Sequence, residues 1–128
     1  MRVLVDSAAL VWWFQDDPRL GPAATELIED PGTEAFASVA TAWEIGIKQA
    51  TGKLRLEVPV DQMMEAGLID DLPIVMEHAM LAAALPKHHS DPFDRMLVAQ
   101  ARSEGLVLLT PDAAPVSYTH LRAHETSL

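Results

Sequence analysis

The stretch Arg2-Val3-Leu4-Val5-Asp6 decides the fold that this sequence predicts. Three consecutive aliphatic residues stand there without any alternation of polar and apolar positions. Such a run is typical of a strand that is covered on both faces in a parallel sheet. Because the run ends at a carboxylate, we expect Asp6 at the C-terminal end of the first strand.

A second stretch near the other end of the chain follows the same pattern. Residues 105–112 begin with a glycine, continue through four aliphatic residues and end with Thr110, Pro111 and Asp112. The carboxyl ends of parallel strands meet at one edge of an open α/β sheet, where ligands bind. We therefore expect Asp6 and Asp112 at the same edge. Weaker strands are predicted at residues 35–38 and 72–75.

Between these strands, apolar residues recur three or four positions apart, which is the spacing of amphipathic helices. Pro22 suits a first helical turn, and Gly52 and Gly105 suit left-handed C-caps. The alternation of strands and helices predicts a three-layer α/β domain with a central parallel sheet flanked by helices. The helices are expected near residues 8–15, 22–30, 39–51, 60–68, 76–84 and 93–104.

The composition indicates one globular domain. The chain has 128 residues, of which 49% are hydrophobic and none is cysteine. This apolar content can bury a core without disulfides, and the lack of thiols excludes Cys-ligated zinc and thiol catalysis. The N-terminal apolar run ends too early for a signal peptide or a membrane span, so we expect a cytoplasmic protein without a membrane segment.

The balance of charge is strongly acidic. Nine Lys and Arg residues stand against 19 Asp and Glu residues, which gives a formal net charge of -10. Such a field repels phosphate backbones, so binding of nucleic acid would need metal ions, a second subunit or a basic partner to compensate locally. On its own, the acidity is better explained by solubility.

Four carboxylates are surrounded by apolar sequence and are our candidate site. Carboxylates that converge in a partly dry pocket either share protons or hold divalent cations, and an all-oxygen site suits Mg²⁺ best. Structural interpretations compete with this one: Asp112 could cap a short helix, Asp94 could satisfy a helix N-terminus, and Glu44 could be the i,i+4 partner of Lys48. Because two of the acids follow buried strands, we favour the metal site for the set Asp6, Glu44, Asp94 and Asp112.

A zinc site is a weaker alternative. His88, His89 and Asp91 are chemically suitable ligands for zinc. Adjacent histidines in a surface loop are usually only solvated, and no spaced His or Cys pair completes the site. Asp91 before Pro92 also has the signature of a helix N-cap, so we expect it to support the site by starting the helix that carries Asp94.

Aromatic and basic residues each cluster in one place. Trp12, Trp13 and Phe14 are expected to lie mostly in the core, with stacking on nucleobases as a weaker interpretation. The segment 48–55 is the main basic cluster, and by default it is a solvated helix end. This segment is also the best candidate for phosphate contacts, through Lys48, Lys53 and Arg55. Arg95, elsewhere in the chain, is a further predicted RNA contact.

Several motifs in order resemble a PIN-domain ribonuclease of the VapC toxin type. They are VDSAALVWW (5–13), SVATAWEIGIK (38–48), GKLRL (52–56), HHSDPFDRMLVAQA (88–101) and LLTPD (108–112). The resemblance covers residues 1 to about 114. It implies that Asp6, Glu44, Asp94 and Asp112 are the catalytic and metal-binding acids, with Asp6 and Asp94 central and Ser7 holding a ligand or a water.

The resemblance also implies function and partners. The expected activity is hydrolysis of RNA phosphodiester bonds with Mg²⁺, for which Mn²⁺ is a possible substitute. The expected partners are a VapB-type antitoxin and a second copy of the chain in a homodimer. The alternatives are a catalytically inactive PIN-fold module that binds protein or RNA, a structure-specific DNA nuclease, and a phosphoacceptor receiver domain, which should carry an acidic pair where Asp6 is followed by Ser7 and Ala8.

Two features depart from the family pattern. The sequence Asp6-Ser7-Ala8 stands where the family usually has Asp-Thr-His, so the histidine is replaced. Residues 116–128 show neither strand alternation nor a helical stripe where a closing strand is expected, and they resemble translated adapter sequence. We therefore divide the chain into a nuclease domain at residues 1–115 and an atypical tail at residues 116–128, for which a non-native origin is one interpretation.

Overall fold

The computed structural model of the protein describes residues 1–86 and 91–110. Their centre is a four-stranded sheet in the order β3-β2-β1-β4, in which every neighbouring pair is parallel. The strands are β1 (Arg2–Val5), β2 (Glu34–Ser38), β3 (Asp70–Leu72) and β4 (Val107–Leu109). The helices are α1 (Ser7–Phe14), α2 (Pro22–Glu29), α3 (Val39–Ala50), α4 (Val60–Ala66), α5 (Met76–Ala84) and α6 (Pro92–Glu104). The predicted layered parallel α/β fold is confirmed.

Strand β1 lies between β2 and β4 and is covered on both faces. Val3 and Val5 are fully buried in a cluster with residues of α1 and α4, whereas Leu4 is fully buried in a second cluster with residues of α6 and β4. Successive side chains of a strand point to opposite faces of the sheet, so the two clusters are the cores of its two sides. The unbroken apolar run is thereby explained.

The helix boundaries follow the chemistry of their caps. Ser38 begins α3 by accepting a hydrogen bond from the Ala40 N–H at 3.0 Å, and Pro22 occupies the first turn of α2. Gly105 ends α6 in the left-handed conformation, with φ of 68°, which costs glycine little. Gly52, just after α3, has φ of 76°. The predictions for Pro22, Gly52 and Gly105 are confirmed.

Two local predictions were wrong or incomplete. The third strand runs over Asp70–Leu72 rather than residues 72–75, and it ends before Pro73, which has no N–H for a sheet hydrogen bond. A short 3₁₀ helix at Pro18–Leu20 was not predicted.

Within the described residues, no helix is long and apolar enough to cross a lipid bilayer.

Candidate active site

Asp6 lies at the carboxyl edge of the sheet, as predicted. Its backbone N–H donates a hydrogen bond to the Leu109 carbonyl at 3.1 Å, so the ends of β1 and β4 are adjacent. Its side chain is half-buried, and Oδ1 accepts a hydrogen bond from the Ala9 N–H at 2.8 Å. Asp6 is therefore the N-cap of α1. This hydrogen bond fixes the rotamer of the Asp6 side chain, and it therefore fixes the positions of both carboxylate oxygens.

Glu44 lies in the second turn of α3, which starts directly after β2 at the same edge of the sheet. Its side chain is mostly buried, at 16% exposure, and Oε2 lies 3.3 Å from Lys48 Nζ. The i,i+4 pair considered from the sequence is thus present. The adjacent Ile45 is buried in the core and anchors this turn of the helix.

Asp94 lies in the first turn of α6, on the exposed surface. Asp91 caps this helix by accepting a hydrogen bond from the Phe93 N–H at 2.8 Å, and Pro92 follows it. The Phe93 ring meets the Trp43 ring edge-on with 5.5 Å between the centroids. Phe93 and Trp43 directly precede Asp94 and Glu44, so this contact brings the two acid-bearing turns together.

The described acids lie on three elements that meet at one edge, but they do not complete a metal site by themselves. Within residues 1–86 and 91–110, no three His, Asp or Glu side chains are close enough together to hold a metal ion. Asp112 lies outside the described residues, and so do His88 and His89 of the zinc alternative. The capping bond of Asp91 gives that residue the structural role expected of it.

The donor chemistry of this edge fits a hard divalent cation. Asp6, Glu44 and Asp94 offer only carboxylate oxygens, which Mg²⁺ and Mn²⁺ prefer, and the chain has no cysteine thiolate. Thr41 lies one turn before Glu44 on α3, and its Oγ1 is buried without a hydrogen-bond partner within the described residues. A buried polar atom of this kind is usually satisfied by a water or an ion, so the Thr41 hydroxyl is a further candidate oxygen ligand close to Glu44 in sequence.

The predicted basic residues separate into three places. Lys48 and Lys53 line a cavity of about 220 Å³ together with Ser7. Arg55 lines a different groove, of about 660 Å³, beside Phe14 and Gln15. Arg95 donates from its guanidinium to the carbonyls of Ala82, at 2.7 Å, and Leu85, at 2.9 Å. Arg95 therefore satisfies the C-terminal end of α5, whose last carbonyls have no partner within the helix.

A group of side chains that the sequence analysis missed surrounds Trp12. The Arg19 guanidinium lies over the Trp12 ring, 4.6 Å from its centroid. Asp17 holds Arg19 through Oδ2, 2.6 Å from Nη2. The hydrogen bonds between them lower the pKa of Asp17 and raise that of Arg19. Asp17 before Pro18 has the same capping signature as Asp91 before Pro92, so the sequence did contain a signal for this turn.

The fold is a layered parallel α/β domain, with the candidate acids Asp6 and Glu44 near the carboxyl edge of its sheet. A family model described as PIN domain matches residues 3–118. The chain is 32% identical over 124 residues to Ribonuclease VapC22 of Mycobacterium tuberculosis (strain ATCC 25618 / H37Rv), a match that covers 94% of each protein. The chain therefore belongs to the PIN-domain family, and the resemblance to VapC-type ribonucleases is confirmed.

Proposed function

We propose that this protein is a metal-dependent endoribonuclease toxin that hydrolyses RNA phosphodiester bonds. The proposal rests above all on the positions of three acids near the carboxyl edge of the sheet: Asp6 at the N-cap of α1, Glu44 on α3 and Asp94 on α6. The similarity to a protein named a ribonuclease, along nearly the whole chain, supports the choice of RNA as the substrate.

In this proposal, each acid has a distinct environment. Asp6 is held by its cap to α1, Glu44 is balanced by Lys48, and Asp94 is exposed at the start of α6. These carboxylates, with Asp112 as the fourth, would hold a divalent cation, which would supply Lewis-acid activation of water and stabilisation of charge on the phosphate. Ser7 positions a ligand or a water beside Asp6, and Asp91 keeps Asp94 in place through the start of α6.

The proposal includes two protein partners and a cytoplasmic location. A VapB-type antitoxin would neutralise the toxin, and a basic segment of it is favoured by the net charge of -10. A homodimer is supported by exposed apolar side chains around the start of α5, because such surfaces mark protein contacts. These are Ile74, Val75, Met76 and Met80, which are between 39% and 75% exposed.

The decisive experiment compares Asp6→Asn and Asp94→Asn with the unchanged protein on a mixture of single-stranded RNAs. Asparagine retains an oxygen that can cap α1, so we expect both variants to fold while their Mg²⁺-dependent cleavage falls on the order of 100-fold or more. EDTA should abolish cleavage by the unchanged protein, and either Mg²⁺ or Mn²⁺ should restore it. The rate is measured from the release of labelled fragments.

Asp61→Asn is the matched control, because Asp61 is an exposed acid of α4 and has no place in the site. It should cleave RNA as the unchanged protein does. Full activity of both site variants would show that the acids are wrongly assigned. An unchanged protein that neither cleaves RNA nor binds Mg²⁺ in calorimetry would favour the alternative of an inactive PIN-fold interaction module.

A further inference from the structure

The cavity beside α1 and α3 has a mixed lining, and apart from Ser7 and Lys48 the proposed hydrolysis does not use it. It measures about 220 Å³ and opens to solvent. Pockets for drug-sized ligands measure roughly 300–1,000 Å³, so this one suits a single ring system rather than a whole nucleotide. We name it the Trp12 cavity, and its lining is Ser7, Ala8, Val11, Trp12, Ile45, Lys48, Lys53 and Leu54.

One wall of the Trp12 cavity is an aromatic ring that is held in place. Arg19 lies over the Trp12 ring, and Asp17 fixes the guanidinium through hydrogen bonds from both Nε and Nη2. The Trp12 ring therefore has a cation over it and also lines the cavity. A tryptophan that is positioned in this way offers a rigid stacking surface at low entropic cost.

The mouth of the Trp12 cavity is positive in an otherwise acidic chain. Lys48 and Lys53 line it, and both residues are exposed. The Nζ atom of Lys48 lies 3.3 Å from Oε2 of Glu44, and Ser7 directly follows Asp6 in the chain. The cavity therefore adjoins two acids of the candidate active site. An aromatic face with lysines beside it is the combination that binds a base and its phosphate in single-stranded nucleic acids.

We propose that the Trp12 cavity binds one unpaired base of the RNA substrate, stacked on Trp12, with the neighbouring phosphate held by Lys48 and Lys53. This inference rests on the proposed ribonuclease function and adds a substrate subsite to it. A base held beside the acids would fix which phosphodiester bond reaches them. The cavity thereby contributes to the choice of the cleavage position.

The test measures RNA binding without cleavage. Labelled single-stranded RNA of about ten nucleotides is titrated with the full chain carrying Asp94→Asn, and fluorescence anisotropy gives Kd. In that background we expect Trp12→Leu to weaken binding about 10-fold, because each stacked base contributes on that scale. Trp12→Phe should restore most of the affinity. Leu68→Ala is the control, since Leu68 is 86% exposed and does not line the cavity.

RNAs with a single abasic nucleotide locate the bound base. When the base at one position is missing, the RNA should bind the Asp94→Asn protein more weakly than intact RNA does. The Trp12→Leu variant in the same background should bind this abasic RNA and the intact RNA equally well. Ala8→Leu fills the cavity without removing a contact and should also weaken binding. Lys53→Gln should weaken all RNAs alike, because a phosphate contact does not read the base. Circular dichroism checks that each variant is folded.

The outcomes separate this inference from the proposed function. Suppose that Trp12→Leu and Ala8→Leu leave the RNA affinity of the Asp94→Asn protein unchanged, and that the unchanged protein cleaves RNA. The proposed subsite is then wrong, whereas the proposed ribonuclease function is supported. In that case the cavity is left for an apolar side chain of a protein partner. Equal losses for Trp12→Leu and Leu68→Ala would also overturn the subsite. Absence of RNA cleavage by the unchanged protein would instead contradict the proposed function.

Discussion

At the scale of single residues, two of the candidate acids have structural roles of their own. Glu44 pairs with Lys48, which is the structural role that the sequence offered as an alternative to a metal site, and Asp6 caps α1, which was not predicted. The sequence predicts the pair of Glu44 and Lys48 from its i,i+4 spacing. It could not predict the distances among the acids, because these depend on how α3 and α6 pack.

The ion pair of Asp17 and Arg19 makes a prediction about pH. The side-chain hydrogen bonds from Arg19, followed by the bond from its backbone N–H, lower the pKa of Asp17 below its ordinary value of 3.8. Because the pKa is lower in the folded state than in the unfolded state, the pair stabilises the fold above the unfolded pKa. That contribution is lost as the pH falls through the lowered folded pKa.

Denaturant unfolding of the unchanged protein and of Asp17→Asn tests this between pH 2 and pH 6. Asparagine keeps the cap on the Arg19 N–H but carries no charge. The difference in free energy of unfolding should be constant above about pH 5 and shrink toward pH 2. An NMR titration should also show the Asp17 pKa moving back toward its ordinary value in Arg19→Gln. A difference that does not vary with pH would contradict the assignment.

At the scale of elements, the sequence predicted six helices whose positions the structure confirms to within a residue or two. It misplaced the third strand because Asp70 and Asp71 are polar and exposed there, so the apolar pattern begins only at Leu72. An edge strand pairs on one side alone and needs little apolar sequence. The periodicity of buried segments is therefore a better guide than that of a short edge strand.

Substitution by alanine should have opposite effects on stability at two glycines, one inside a helix and one just after a helix. Gly67 follows α4, and a Cβ there would lie 2.3 Å from the Trp13 ring, whose Nε1 donates to Glu29 Oε2 at 3.0 Å. Gly67→Ala must displace this ring, so we expect a loss of about 1–3 kcal/mol in the free energy of unfolding. Gly46 lies inside α3 with nothing within 4 Å of a Cβ, so Gly46→Ala should stabilise by about 0.5–1 kcal/mol.

Chemical denaturation of both alanine variants measures the two effects under identical conditions. The pair is informative because the substitution is the same and only the surroundings differ. If Gly67→Ala were as stable as Gly46→Ala, Trp13 would not be held against the end of α4. The position of this indole could not be read from the sequence, since Trp12, Trp13 and Phe14 are adjacent and only the fold separates their roles.

At the scale of the whole molecule, the net charge of -10 and the acids at one edge of the sheet give a prediction about metal and stability. A cation that binds the folded state but not the unfolded chain raises the free energy of unfolding by about 2.7 kcal/mol at 100 times its Kd. We therefore expect Mg²⁺ to raise Tm by several degrees, on the order of 3 °C for each kcal/mol. Sodium chloride at the same ionic strength is the control, because screening alone acts on all the charges equally.

The Asn variants separate a specific site from a general effect of charge. Asp6→Asn and Asp94→Asn each remove one negative charge, so without Mg²⁺ they should melt at the same temperature as the unchanged protein or slightly above it. They should lose the extra stabilisation by Mg²⁺, whereas Asp61→Asn should retain it. Differential scanning calorimetry gives the three curves. Equal shifts with Mg²⁺ in all variants would mean that the cation only neutralises the acidic surface, and the carboxyl edge of the sheet would then hold no ion of its own.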